Sequence, residues 1–354
     1  MEEIEDPRPS AGEVVVDVAA AAANFPDVLL VADRYQVHVP VPFTPGGEFA
    51  GTVTAVGQGV DRWVAGDRVT GATLVGAFAE QVVVPVTSLE RVDPAADLVV
   101  AAASGVAHRT AYHALRSVAR IEPGQWVVVL GAAGGVGLAA VEMGAALGAQ
   151  VLAAASTPER LDLCRQKGAS ELVCYEREDL KERIKVATGG GAHVVIDPVG
   201  GPFAEQALRA LRWGGRFVSV GFASGEIPRI PLNLVLLKGV EITGFTLAGL
   251  AHHHPDEVER DRLELDELAR SGRVVPHISA VYPLEQAGRA LADLAERRAM
   301  GKVLVTPRDG PDRPAGSTVT SEEPVADRRS DRPEGESDAP EGESDAPERR
   351  WVSP

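Results

Sequence analysis

Residues 126–130 read Trp-Val-Val-Val-Leu, an unbroken apolar run, and Gly131-Ala132-Ala133-Gly134-Gly135-Val136-Gly137 follows it directly. A stretch of helical character, Leu138–Leu147, comes next. An apolar run without alternation predicts a parallel strand covered on both faces. Small residues after it let the backbone turn tightly and leave a helix N-terminus open to an anion. Strand, small-residue turn and helix in this order form the context of a dinucleotide-binding turn. It would seat a pyrophosphate on the backbone of Ala132, Ala133, Gly134, Gly135, Val136 and Gly137. In the G-x-G-x-x-G register the first glycine is replaced by Ala132.

The same alternation continues. Gln150–Ala155, Leu172–Tyr175, His193–Asp197 and Arg216–Gly221 read as strands with helical segments between them, which predicts an α/β doubly wound parallel sheet of Rossmann type over residues 106–250. Residues 1–105 differ. Short β-like runs at Glu13–Ala20, Gly51–Val56, Arg68–Thr70 and Gln81–Pro85 are separated by Gly, Asp and Pro turns, as in a compact, mostly β domain. Val274–Val281, a helix near Leu284–Arg298 and a strand Lys302–Thr306 lie in residues 251–306, read as a return to the first domain. From 307 to 354 the chain is rich in Pro, Glu, Ser and Asp, and PEGESDA at 333–339 repeats at 340–346. Such a composition buries too little apolar surface to offset its ordering entropy, so a disordered, solubilising acidic tail is expected.

The formal charge of −16 disfavours a phosphate backbone as partner. The tail holds thirteen acidic and seven basic residues, net −6, so the remaining chain still carries −10 and nucleic acid is not expected. No apolar run approaches the roughly 20 residues needed to span a bilayer, and the acidic start lacks the layout of a signal peptide. A cytoplasmic protein without a membrane partner is the expectation. Cys164 and Cys174 are the two cysteines, too few for a four-cysteine zinc site, and read as small core side chains.

The end of the second strand informs cofactor choice. An NAD site usually has Asp or Glu there, about 20 residues after the turn, to hold the ribose hydroxyls. Val151–Ser156 instead ends on Ser156, with Thr157 next and Arg160 at the start of the following helix. A hydroxyl and a guanidinium suit a 2′-phosphate, and no carboxylate is present to repel one. NADPH is therefore the expected cofactor.

Several segments, in order, carry a resemblance to one family. The Ala-Ala-Gly-Gly-Val-Gly turn, Asn24-Phe-Pro-Asp27-Val-Leu, Pro45-Gly-Gly-Glu48-Phe-Ala-Gly51, Ala65-Gly-Asp-Arg-Val69 and Thr110-Ala-Tyr-His-Ala114 are five of them. Asp197-Pro-Val-Gly-Gly201, Val220-Gly-Phe-Ala-Ser224 and Gly301-Lys-Val-Leu-Val305 complete the set, which runs through nearly all of residues 13–306. The chain resembles the zinc-free quinone oxidoreductases of the medium-chain dehydrogenase/reductase superfamily. The resemblance implies a GroES-like catalytic domain beside the Rossmann domain, and hydride transfer from NADPH to a small-molecule quinone or enone. It implies cofactor contacts at Tyr175, Gly221, Phe222, Ala223 and Arg298. It also implies a substrate cleft lined by Asn24, Asp27 and Tyr35, where Asn24 reaches the cofactor and Tyr35 orients an acceptor oxygen. Ordinary packing of Tyr35 and a helix-start role for Asp27 are alternatives.

Where zinc-dependent relatives place a metal-binding His before Glu, this chain has Gly47 before Glu48, and no cysteine precedes Cys164. No metal is therefore expected, and without that Lewis acid the chemistry left is transfer to an already polarised acceptor. His252-His253-His254 reads as an exposed loop before Pro255, and His108 and His113 as ordinary histidines near a helix start. Family members usually carry an extra strand or hairpin ahead of the segment Pro7–Val14. Either the start of the chain is misplaced or the first domain lacks a strand and leaves an open edge. Val240–Leu250 resembles the segment that pairs sheets across the family's homodimer interface, though a buried intrachain strand explains it too. Two other functions remain open: a 2-enoyl thioester reductase, and a non-catalytic NADPH-binding or sensing protein.

Overall fold

A computed structural model describes residues 2–307; the expected acidic tail, apart from Pro307, lies outside the described residues. The strands are β1 (Glu13–Ala23), β2 (Glu48–Val56), β3 (Arg68–Ala72), β4 (Gln81–Pro85), β5 (Leu89–Arg91), β6 (Trp126–Leu130) and β7 (Gln150–Ala155). They continue as β8 (Glu171–Cys174), β9 (Ala192–Asp197), β10 (Leu211–Ser219), β11 (Glu241–Gly244), β12 (Ile278–Pro283) and β13 (Lys302–Thr306).

The last six strands before β12 form one all-parallel sheet in the order β11-β10-β9-β6-β7-β8. The chain moves outward from β6 through β7 to β8, then crosses back to β9 and proceeds the other way. This is the doubly wound order, with its switch point between β6 and β9. Because side chains alternate across a strand, Val127 and Val129 join one buried cluster while Val128 and Leu130 join another on the opposite face. Helices cover both faces, which is why the strand had to be apolar throughout.

The other sheet has seven strands, in the order β12-β13-β1-β2-β3-β5 with β4 also pairing β1. The mixed α/β architecture combines this mostly antiparallel sheet with the doubly wound parallel one. β13 runs antiparallel to β1, with Ala22 opposite Leu304. The chain's return therefore places Lys302 beside residues near the N-terminus. Helix Leu98–Ala103 packs its alanines against Ala20, Ala22 and Ala50, small residues that let helix and sheet approach closely. Val240–Leu250 is not one buried strand: β11 is a largely exposed edge, followed by helix Leu247–His253. His252 and His253 are likewise helical rather than in a loop. The Thr246 hydroxyl caps Gly249 N at 3.0 Å and starts that helix, and Pro255 opens the next.

Candidate functional site

Every segment singled out for the cofactor except that of Arg298 leaves the parallel sheet at its carboxyl end, where ligands bind in doubly wound folds. After β6 the chain turns at Gly131, with φ of +56°, and Gly134 N donates to Gly131 O at 2.9 Å. A Cβ at Gly137 would lie 2.2 Å from Gly131 O, so the turn closes only around glycine. Ala132 and Ala133 are buried in the core, which accommodates the methyl where a glycine is usual. The helix begins earlier than the sequence suggested, at Gly135, so the turn and the positive helix end coincide.

At the end of β7, Ser156 hydrogen-bonds Tyr175, whose ring packs on Phe203 at 4.3 Å between centroids. Burial raises the Tyr175 phenol above its ordinary value. Arg160 sits in the first turn of helix Pro158–Gln166, capped by Thr157. Its guanidinium donates to the backbone carbonyls of Ala299 at 3.1 Å and Arg298 at 3.3 Å, and to that of Arg297. Arg160 thus fastens the 297–299 segment to the cofactor edge. Arg298 is held by Asp293 at 2.8 Å and by Glu296. Arg297 instead reaches Ser224 O at 3.0 Å, with a backbone φ of +58° that few non-glycine residues adopt.

Loop 220–224 lies on the turn after β9. Ala223 N donates to Pro198 O at 3.2 Å and Ser224 N to Val199 O at 2.9 Å. Asp197 Oδ1 accepts from Val199 N and Gly200 N, each at 2.8 Å, and its buried Oδ2 has no protein partner. Burial raises this carboxyl above the usual range. Gly221, Phe222 and Ala223 are therefore positioned from β9, across the switch point from the glycine turn.

Asn24 and Asp27 are brought together with two residues the sequence did not single out for a role, Glu48 and Lys302. Lys302 Nζ donates to Asn24 Oδ1 at 2.7 Å and to Glu48 Oε2 at 3.0 Å, and Asn24 Nδ2 donates to the same Glu48 oxygen at 2.8 Å. Val106 N occupies Glu48 Oε1 at 2.8 Å. Asn24 N donates to Asp27 Oδ2 at 2.7 Å, so Asp27 is both a helix-start carboxylate and a member of the network. Asp27 is 2% exposed, and burial pushes its carboxyl up to about 6 against the pull of Asn24 and Lys302. Burial, and next the charge of Asp27, raise the Tyr35 phenol. His108 is also buried, and burial pushes its imidazole down to about 4. His113 is bound elsewhere: its Nδ1 lies 2.9 Å from Asp261 and ties two helices together.

Glycine permits this network. A Cβ at Gly105 would come 2.5 Å from Glu48 Oε1. Among the described residues no three His, Cys, Asp or Glu side chains are grouped to hold a metal ion. The residues beside Glu48 do not make a tetrahedral zinc donor set. The turn, in contrast, fits a dinucleotide at the start of helix Gly135–Ala146: Ala132 N and Gly134 N are spent on Ala154 O at 3.0 Å and Gly131 O at 2.9 Å, and the helix N-terminus supplies the positive end for a pyrophosphate. Cys164 is buried and its thiol is pushed up to about 12, which leaves it inert.

The fold and its relatives define an oxidoreductase of the medium-chain type. Residues 10–94 match the alcohol dehydrogenase GroES-like domain and residues 135–262 match the zinc-binding dehydrogenase family. Mouse quinone oxidoreductase-like protein 2 is 37% identical over 303 residues, which covers 85% of this chain and 87% of the mouse protein. The Escherichia coli quinone oxidoreductase complexed with NADPH superposes with a TM-score of 0.81 at 31% identity, covering 86% of this chain and 95% of that one. The Thermus thermophilus quinone oxidoreductase gives 0.75 at 34% identity, over 86% of this chain and 95% of that one. The chain belongs to the quinone oxidoreductase-like family of the medium-chain dehydrogenase/reductase superfamily.

Proposed function

We propose that the protein is a zinc-independent reductase that uses NADPH to reduce a quinone or an α,β-unsaturated carbonyl compound. The observation that carries this reading is the cleft floor, where both Glu48 oxygens are held by Lys302, Asn24 and the Val106 N–H and none is left for a metal. Without a Lewis acid to stabilise an alkoxide, the suitable acceptor is one already polarised. When bound, the reduced nicotinamide supplies a hydride and its two electrons. The glycine turn and the N-terminus of helix Gly135–Ala146 hold the pyrophosphate, and Ser156, Arg160 and Tyr175 face the 2′-phosphate. Arg297 adds a cation from the opposite wall and Arg298 a weaker one, since its carboxylate pairs screen it. Gly221, Phe222 and Ala223 flank the nicotinamide. Asn24 orients the cofactor, Tyr35 orients the acceptor oxygen, and Asp27 supplies the proton that the acceptor takes up. The protein works in the cytoplasm as a homodimer through the exposed edge at β11.

The test is loss of reduced-nicotinamide absorbance with NADPH or NADH against quinones, enones and enoyl thioesters, with EDTA present. Rapid NADPH oxidation by quinones or enones, much slower with NADH, is expected. A preference for thioesters moves the chain to enoyl reduction, and tight NADPH binding without turnover leaves a binding or sensing role.

A further inference from the structure

Asn24 follows β1 and opens helix Phe25–Val31, and it is the half-buried member of a network whose other side chains, Asp27, Glu48 and Lys302, are buried. Its amide carries two N–H donors and one acceptor oxygen. Nδ2 donates to Ala22 O at 3.2 Å and to Glu48 Oε2 at 2.8 Å, which uses both N–H groups inside the protein. Oδ1 receives Lys302 Nζ at 2.7 Å. An ammonium only donates and an ionised carboxylate only accepts, so the amide has one orientation here. Turned over, it would set its N–H groups against Lys302 and its oxygen against Glu48 Oε2 and Ala22 O. Asn24 therefore has no N–H to offer a ligand; what it can offer is Oδ1.

The network abuts the cofactor turn. Gly301 N donates to Ala133 O at 2.8 Å, and a Cβ at Gly135 would lie 3.7 Å from Lys302 Cδ, so the stem of Lys302 passes the first residue of the cofactor helix. The ammonium itself is spent on Asn24 and Glu48, and its side chain is 3% exposed. Asn24 is then the member through which the network reaches a bound nucleotide.

We propose that Asn24 meets the dinucleotide as a hydrogen-bond acceptor, taking a donor from its nicotinamide half, and that Lys302 and Glu48 fix this polarity. The inference rests on the cofactor role given to Asn24 in the proposed function. The donor is an N–H of the carboxamide or a hydroxyl of the adjoining ribose, which present the same chemistry. A quinone or enone carbonyl has no proton to give, so it is not the partner of Asn24 and falls to Tyr35. Lys302 touches neither cofactor nor acceptor; it is a positioning residue.

Equilibrium binding to the full chain, without an acceptor, tests this. The probes are NADPH, its reduced 3-acetylpyridine analogue, in which a methyl replaces the carboxamide NH2, and NADPH lacking the 2′- or the 3′-hydroxyl of the nicotinamide ribose. The native protein is expected to bind the probe that lacks the donor about three- to tenfold more weakly than NADPH. A penalty confined to the acetylpyridine probe assigns the carboxamide, and one confined to a deoxyribose probe assigns that hydroxyl. Asn24→Ala is expected to weaken NADPH by a similar factor and to bind that probe no worse than NADPH. Lys302→Met combined with Glu48→Gln keeps Asn24 but leaves neither ammonium nor carboxylate to orient it, and the penalty is expected to shrink to less than about twofold. If that pair does not fold, Lys302→Gln, whose amide ends one atom short of the lysine ammonium, is read in the same way. Equal binding of all probes by the native protein, or a penalty that survives Asn24→Ala, overturns the contact. A full penalty in the folded Lys302 variant overturns the orienting role. Each readout is a binding constant, so a native protein that binds NADPH but oxidises it with no acceptor contradicts the reductase activity alone.

Discussion

Lys302 Nζ lies 3.0 Å from Glu48 Oε2, although the two residues are 254 positions apart, and the side chains are 3% and 1% exposed. The contact joins β13 to β2 across β1 and fastens the chain's return to its first domain. A buried pair of this kind is tolerated because Asn24 and Val106 N complete the carboxylate's hydrogen bonds. Removing one partner leaves a buried charge. Lys302→Met is therefore expected to destabilise the protein by about 3–5 kcal/mol. Adding Glu48→Gln to it is expected to recover a large part of that loss. Urea unfolding of the native protein and both variants measures this, and equal losses in the two variants contradict it.

Asp27 gives a pH dependence of definite sign. Its carboxyl titrates at about 6 in the fold against an ordinary 3.8, so the folded state binds the proton more tightly than the unfolded one. The contribution of Asp27 to stability is then greatest below the ordinary value and falls as pH rises from about 4 to about 6. Above that range, burial of the ionised carboxyl costs about 3 kcal/mol. Asp27→Asn is expected to match the native protein near the acidic end and exceed it in stability at neutral pH, while reductase turnover falls. Thermal unfolding across this range checks it; parallel native and variant profiles contradict it.

Much of the dinucleotide half was legible because its signals are local. The run Trp126–Leu130 needs two covered faces, and the glycine at 137 is required by contact with Gly131, six residues away. Asn24 and Asp27 were legible only through resemblance, as parts of a short segment. Lys302, Glu48 and His108 were present in the sequence without visible roles, because what makes them a group is the return of β13 beside β1. Arg297 was hidden for another reason. Its position follows from a positive φ after helix Ala287–Ala295 and from the grip of Arg160 on the same segment, and neither has a sequence pattern.

The phosphate edge predicts cofactor preference. Ser156→Asp places a carboxylate where Ser156, Tyr175 and Arg160 would meet a 2′-phosphate. Losing a charge-assisted contact and gaining a repulsion should cost about 1.5–3 kcal/mol, or roughly ten- to a hundredfold in kcat/KM for NADPH. NADH should be little affected, because the carboxylate can take the ribose hydroxyls. Arg160→Ala is expected to weaken NADPH as well, and to loosen the 297–299 segment it holds. Steady-state rates with both dinucleotides decide this; an unchanged NADPH preference in Ser156→Asp places the phosphate elsewhere.

The edge of the parallel sheet predicts an assembly. β11 ends the sheet order with exposed residues at Glu241, Ile242 and Gly244, and parallel sheets are seldom left with an open apolar edge. Beside it stand Leu232 and Leu236 at 78% exposure and Trp213 at 75%, large apolar side chains that a monomer would leave in water. Two copies meeting edge to edge about a twofold axis would cover both features with one self-complementary surface. A stable contact of this kind buries on the order of 1,000 Å² or more. Leu236→Glu combined with Leu237→Glu adds two charges per copy near that surface, and desolvating them against their twofold mates is unfavourable. Sedimentation is expected to give a dimer for the native chain and a monomer for the double variant, with NADPH still bound. A native monomer at micromolar concentration, or a dimer indifferent to both substitutions, would remove this face as the interface.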